Sequence, residues 1–123
     1  MAGWHEQPGA NHAFRPHERI RRRSEFKQVY ERGLRRSGRY GTFFVLATTR
    51  GVSRLGIAAT RKLGGAVQRN RAKRLIREVF RRNKIVCGFD VVIVPKRELL
   101  DASLTALESE YRHILERRLL PGR

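Results

Sequence analysis

The sequence predicts an α+β fold, a two-layer sandwich of a small central sheet and helices in the order α-β-β-α-β-α. Two sets of observations carry this. Within Gly64–Arg82, residues Ala72, Leu75, Ile76, Val79 and Phe80 recur at i, i+3, i+4, i+7 and i+8, the spacing of one buried helix face. Tyr40–Thr48, Ser53–Thr60 and Phe89–Val94 form three short stretches between turn residues, the first and last of them dense in β-branched and aromatic side chains, as strands are.

Taken in order, residues 1–13 are rich in Gly, Pro, Asn and His and lack the apolar centre of a signal peptide, which predicts a disordered arm. Residues 14–119 read as a single domain and 120–123 as a tail. Phe14–Arg23 starts extended, because Pro16 disfavours helix in the residue before it, and its five arginines and Ile20 are expected across a surface. Ser24 is the expected N-cap, and Gly33 the C-terminal stop, of a short first helix. On that helix Phe26, Val29 and Tyr30 share a face. The spacing favours core, while two aromatics in basic surroundings are also what stacks on unpaired bases.

Arg35–Arg39 is expected as a basic connector and Tyr40–Thr48 as the first strand. A turn at Thr49–Gly51 leads to Ser53–Thr60, a second strand antiparallel to it. Leu63-Gly64-Gly65 bends the chain into the central helix. Glycines there admit a close backbone approach to phosphate beside free helix amides, but no Gly-Lys-Ser/Thr element follows to make a nucleotide-binding loop. Phe89–Val94 is almost wholly apolar, as a central strand covered on both faces would be. Leu99–Leu119 closes the chain as a helix capped by Asp101 or Ser103. Its apolar residues Leu104, Leu107, Tyr111, Ile114 and Leu115 face inward, and its mixed charges mark an ordinary solvated face.

Charge separates scaffold from working surface. The chain has 123 residues and carries 28 Lys and Arg against 11 Asp and Glu, a net of +17. Between Phe14 and Lys84 there are 22 basic and 4 acidic residues, so the excess belongs to the first two-thirds of the chain. Arg69, Asn70, Lys73, Arg74, Arg77 and Arg81 share one arc of the central helix, with Glu78 alone to offset them. Like charges stacked on one helix face repel, so this stripe is matched to a polyanion, and phosphate is the natural one. No apolar run reaches the roughly 20 residues of a membrane-spanning helix. One cysteine, Cys87, makes no internal disulfide and fits a reducing cytoplasm.

The residues of a protein catalyst are missing. Two-metal nucleases need converging carboxylates, and the two aspartates, Asp90 and Asp101, have no acidic partner in sequence. The histidines are scattered, and one cysteine supplies no zinc-ligand spacing. The chain reads as a binder.

Arg54-Leu55-Gly56-Ile57, Arg61-Lys62-Leu63-Gly64-Gly65-Ala66-Val67 and Arg69-Asn70-Arg71-Ala72-Lys73-Arg74-Leu75-Ile76-Arg77-Glu78 closely resemble the signature of the bacterial ribonuclease P protein component. The similarity runs upstream to Ser24–Tyr30 and downstream through Phe89–Val94 to the last helix. It departs at Gly65, where that family commonly has Asn. The resemblance implies an α/β sandwich with a left-handed β-α-β crossover, against the usual hand. It implies a protein subunit that binds a catalytic RNA and the 5′ leader of precursor tRNA, with hydrolysis performed by the RNA. Magnesium would be held mainly by that RNA, and none by the protein alone.

By position, the resemblance assigns Arg69, Asn70, Arg71, Lys73, Arg74 and Arg77 to an RNA-binding helix, which Arg81 of the same arc extends. Arg71 lies off that arc and is expected to bond a loop or a helix end. Phe26, Tyr30 and Phe44 would line a leader-binding cleft with Arg61 and Lys62 at its rim, which turns Phe26 and Tyr30 from core toward base contact. Two other classes fit the charge: a structural or chaperone RNA binder, and a DNA-binding protein with the central helix in a major groove. The second requires a helix before the central one, where this sequence has a strand.

Overall fold

The structure is a computed structural model that describes residues 15–83 and 88–119. The arm 1–13, the tail 120–123 and Cys87 lie outside the described residues. The elements are α1 (Arg23–Arg32), β1 (Leu34–Ser37), β2 (Gly41–Ala47), β3 (Arg54–Ile57), α2 (Ala66–Arg82), β4 (Phe89–Pro95) and α3 (Leu104–Leu119). Short 3-10 turns at Pro16–Glu18, Arg61–Leu63 and Arg97–Asp101 precede α1, α2 and α3.

The four strands lie in the order β1-β2-β4-β3, with β2 antiparallel to β1 and β4, and β3 parallel to β4. Two expectations are corrected here. The segment from Arg35 was read as a connector, but Leu34–Ser37 is an edge strand, every residue of it exposed. It is held by backbone pairing to β2 rather than by an apolar face, so it carries no alternating pattern to find. The second strand does run antiparallel to β2, yet it is not its hairpin neighbour. β4 enters between them, and its run of buried residues from Phe89 to Ile93 is the reason. A strand apolar on both faces belongs in the centre.

The main core lies on one face, where α2 and α3 cover Phe43, Val45, Leu55, Val91 and Ile93. Tyr111 of α3 and Phe80 of α2 are among its largest fully buried side chains. Asn83 locks the two helices together. Its amide donates to the Val79 carbonyl (2.8 Å) and to Glu108 Oε2 (2.6 Å), while Arg112 Nε donates to its oxygen (2.6 Å). On the other face α1 packs with Ile20, Val29 and Val92 as a smaller cluster. Ile20 is thus buried, not spread on the surface, because its N–H donates to the Leu55 carbonyl (2.9 Å) and draws the segment against β3.

Helix ends differ in detail from the expectation. α1 starts at Arg23, one residue before Ser24, and its first turn is closed by Glu25 Oε1, which accepts from the Arg21 and Arg22 N–H groups (3.3 and 3.2 Å). Gly33 does end α1, but with φ −80°. It is needed for crowding instead of handedness, since a Cβ there would lie 2.6 Å from the Val29 carbonyl oxygen. Of the two candidates for the last helix, Ser103 is the cap: its Oγ accepts the Ala106 N–H (3.0 Å), and Asp101 ends the preceding 3-10 turn.

Candidate nucleic-acid interface

The sheet register aligns a row of residues across the α1 face. Arg35 of β1 stands opposite Phe44 of β2, which pairs with Val92 of β4, which pairs with Gly56 of β3. Paired residues share a face, so Arg35, Phe44 and Val92 form a floor that ends at a bare glycine. Phe26 and Tyr30, one turn apart on α1, hang over this floor. Tyr30 meets Phe44 edge-on with ring centroids 4.8 Å apart at 75°, and Phe26 lies 6.3 Å from Tyr30. Phe26 and Phe44 are half-buried and Tyr30 is 39 % exposed, so the three form a continuous aromatic surface open to solvent. Partial burial pushes the Tyr30 phenol pKa up.

β3 runs on through Ala58, whose N–H donates to the Ile93 carbonyl (2.9 Å), toward the end of the sheet where Val94 and Lys96 lie. Just beyond, Arg61 and Lys62 stand exposed in the 3-10 turn that leads to α2. Gly64 follows with φ +145°, a conformation that side chains rarely adopt. The Gly65 N–H is taken by Gln68 Oε1 (3.0 Å), which satisfies one of the free amides at the start of α2.

Along α2, the buried face is formed by Ala72, Ile76, Val79 and Phe80 as the spacing requires. Asn70, Arg74 and Arg77 are exposed, with Lys73 and Arg69 half-buried beside them. Asn70, Arg74, Arg77, Glu78 and Arg81 line a shallow groove of ≈ 340 Å³. Three members of the predicted set are engaged internally. Arg81 Nε donates to Glu78 Oε1 (3.0 Å) and its guanidinium also grips the second carboxylate oxygen. Arg71 Nε donates to the Leu100 carbonyl (3.0 Å), the loop bond expected of the residue off the arc. Arg69 reaches back to the Gly64 carbonyl (3.3 Å).

The two surfaces meet at the outer edge of β3, where the segment before α1 is bridged to Leu55. A hollow of ≈ 230 Å³ there is lined by Phe26 from the aromatic side and by Lys73 and Arg77 from α2. It also includes Arg19 and Arg21, which sequence reasoning left without a role. The dense arginines of Phe14–Arg23 were the signal, and the Ile20–Leu55 pairing that fixes them could not be read from spacing.

What holds α1 in place was also missed. Asp90, for which the sequence offers no acidic partner, is engaged by a cation instead: Arg54 donates to it from Nε to Oδ1 (3.0 Å) and from the terminal nitrogen to Oδ2 (2.9 Å). Arg54 also reaches Glu25 Oε2 on α1 (2.9 Å), and Arg50 adds a contact to Asp90 (3.0 Å). Arg54 is 9 % exposed and Asp90 3 %. The Arg54 guanidinium, aided by the Arg22 and Arg21 amides, pulls the Glu25 carboxyl down to about 2. Arg54 itself is driven further above its ordinary value, by Asp90 first and then Glu25. This cation is therefore an anchor between helix and sheet, not a surface charge.

Among the described residues, no three His, Cys, Asp or Glu side chains converge as metal ligands, and no helix is long and apolar enough to cross a membrane. The Glu25 and Asp90 carboxylates are committed to arginines. The arrangement offers aromatic faces, a cationic helix and a junction between them.

Comparison with known proteins agrees. The family described as Ribonuclease P matches residues 14–118. The ribonuclease P protein component of Thermotoga maritima is 43% identical over 91 residues, covering 71% of this chain and 76% of that protein. That of Clostridioides difficile is 31% identical over 101 residues, covering 80% and 89%. Among solved structures, the ribonuclease P protein from Thermotoga maritima superposes with a TM-score of 0.72 at 34% identity, covering 81% of this chain and 96% of that one. The Staphylococcus aureus protein gives 0.69 at 26% identity, covering 82% and 94%.

Proposed function

The chain belongs to the ribonuclease P protein family, the protein component of an endoribonuclease that processes tRNA, and from that premise we propose how its surfaces divide the work. The α2 stripe of Arg69, Asn70, Lys73, Arg74 and Arg77 takes phosphates of the catalytic RNA. Phe26, Tyr30 and Phe44 hold the single-stranded 5′ leader of precursor tRNA, with Arg61 and Lys62 meeting its backbone. Base faces on aromatics and phosphates on cations bind unpaired RNA with little sequence preference, which suits an enzyme that trims many leaders. The RNA cuts the phosphodiester at the leader junction. Magnesium is held mainly by the RNA, a reading supported by the commitment of Glu25 and Asp90 to Arg54. The protein screens repulsion between two polyanions in the cytoplasm and so raises substrate affinity.

The observation that carries this reading is the junction at β3, where Phe26 and the α2 cations Lys73 and Arg77 line one hollow. A leader resting on the aromatics lies beside the surface offered to the catalytic RNA. The test is cleavage of labelled precursor tRNA at low magnesium with the protein, a bacterial ribonuclease P RNA, or both. Cleavage at the mature 5′ end only with both supports the division of labour. Cleavage by the protein alone overturns it. RNA binding without stimulation favours a structural RNA-binding role.

A further inference from the structure

The hollow at the edge of β3 has more structure than a junction needs. Its walls come from three separate parts of the chain: Arg19 and Arg21 before α1, Phe26 on α1, and Lys73 and Arg77 on α2. Lys73 and Arg77 are four residues apart and therefore share one side of their helix. Beneath the cations lies an apolar floor. Ile20 and Leu55 are buried and fixed by the 2.9 Å backbone bond between them, and Ile57 is half-buried alongside. Among the described residues, no carboxylate lines the hollow. Glu25, the nearest acid on α1, is held by Arg54.

A merely solvated charged notch has no reason to keep an apolar floor, and an apolar ligand has no use for four cations. One ligand chemistry needs both: an unpaired nucleotide, whose base is apolar on its faces and whose two flanking phosphates are anionic. We propose that this hollow is a nucleotide subsite. It takes one unstacked base against Ile20, Ile57 and the edge of Phe26, and seats the adjoining phosphates between Arg19 and Arg21 on one side and Lys73 and Arg77 on the other. The proposal rests on the reading of this surface as RNA-binding and adds a subsite at the Phe26 end of the aromatic row. The base comes either from the leader or from the catalytic RNA, and the two sources share this chemistry.

The experiment places a photo-crosslinking side chain at position 21 and, separately, at position 30, in the full chain assembled with ribonuclease P RNA and labelled precursor tRNA. A crosslink from position 21 confined to one or two nucleotides supports the subsite, and the labelled strand identifies its source. An abasic residue at the crosslinked nucleotide then lowers affinity about tenfold for the native protein, within the range for loss of one stacked base. In the Arg21→Ala variant the salt slope falls by about one. No crosslink from position 21 with a strong one from position 30 overturns the subsite and leaves the proposed function standing. Diffuse crosslinks, or an abasic substitution without effect, also overturn it. Failure at both positions overturns the subsite and the proposed function together.

Discussion

The edge of the Phe26 ring closes over the bare α-carbon of Gly56. A Cβ on Gly56 would sit 2.8 Å from both Cε1 and Cζ of that ring and 3.1 Å from the Ile20 Cβ. The glycine therefore sets the height at which the aromatic surface begins. Because Gly56 pairs with Val92 and Val92 with Phe44, one strand position fixes the relation of Phe26 to the remaining floor.

Gly56→Ala tests this directly. Alanine restricts the unfolded chain, worth about 0.4–1 kcal/mol in its favour, but overpacking costs about 1–3 kcal/mol, so net destabilisation is expected. The ring must swing outward, and affinity for leader-bearing substrate falls. Adding Phe26→Leu, which shortens the intruding side chain, restores urea stability but not leader affinity. Restoration of both would show that Phe26 acts only through packing.

The charge cluster under α1 gives a second prediction. Asp90→Ala leaves Arg54 buried with half its partners gone, a loss of about 3–5 kcal/mol. Replacing both residues, Arg54→Met with Asp90→Leu, recovers much of it, since two apolar side chains need no partner and Glu25, which also loses Arg54, is partly open to water. Equal losses for the single and double variants, measured by urea unfolding, would contradict the buried-pair account.

Glu25 makes the same cluster sensitive to acid. Its folded pKa is depressed, from an ordinary 4.5 to about 2. The contribution is therefore complete above about pH 4.5 and is lost as the pH falls toward 2. The difference in unfolding midpoint between the native chain and Glu25→Gln shrinks across that window. A difference constant from pH 6 to pH 3 would mean that the Arg54–Glu25 contact contributes nothing through charge.

The sequence revealed elements whose own residues decide their environment. The faces of α2 and α3 follow from apolar spacing, and the central place of β4 from its unbroken apolar run. β1 was invisible because every residue of Leu34–Ser37 is exposed and the strand is held mainly by backbone pairing to β2. The neighbours of β3 were misjudged because strand order depends on a strand that comes only after α2, not on the local turn. The cationic stripe was legible for the same reason as the helix, one period sorting charges from core. The Arg54–Asp90 anchor was not: its partners are 36 residues apart, and nothing local distinguishes Arg54 from the surface arginines around it.

Tyr30 is the aromatic best suited to isolate base contact, since it is 39 % exposed and supports little core. Tyr30→Ala is expected to weaken leader-bearing precursor tRNA by about 1–3 kcal/mol, the range for one stacked base, while mature tRNA binds as before. Equal losses for the two substrates would remove Tyr30 from the leader path.

The last prediction sets two kinds of α2 cation against each other. Lys73→Glu with Arg77→Glu reverses two charges on the face offered to the catalytic RNA. Holoenzyme assembly weakens, and the slope of log affinity against log salt becomes shallower by about two, one per lost phosphate contact. Arg71→Ala behaves differently. Its guanidinium spans from α2 to the Leu100 carbonyl in the turn before α3. Its loss costs about 1 kcal/mol of stability, an ordinary net hydrogen-bond contribution, and leaves the slope nearly unchanged. Both variants leave the buried face of α2 intact, so a difference between them reports the use of each cation and not helix formation. If Arg71→Ala flattens the salt slope while stability holds, Arg71 is a phosphate contact and its bond to the turn contributes nothing measurable. If the double reversal leaves the slope intact, the RNA is met elsewhere and the stripe is a solvated face.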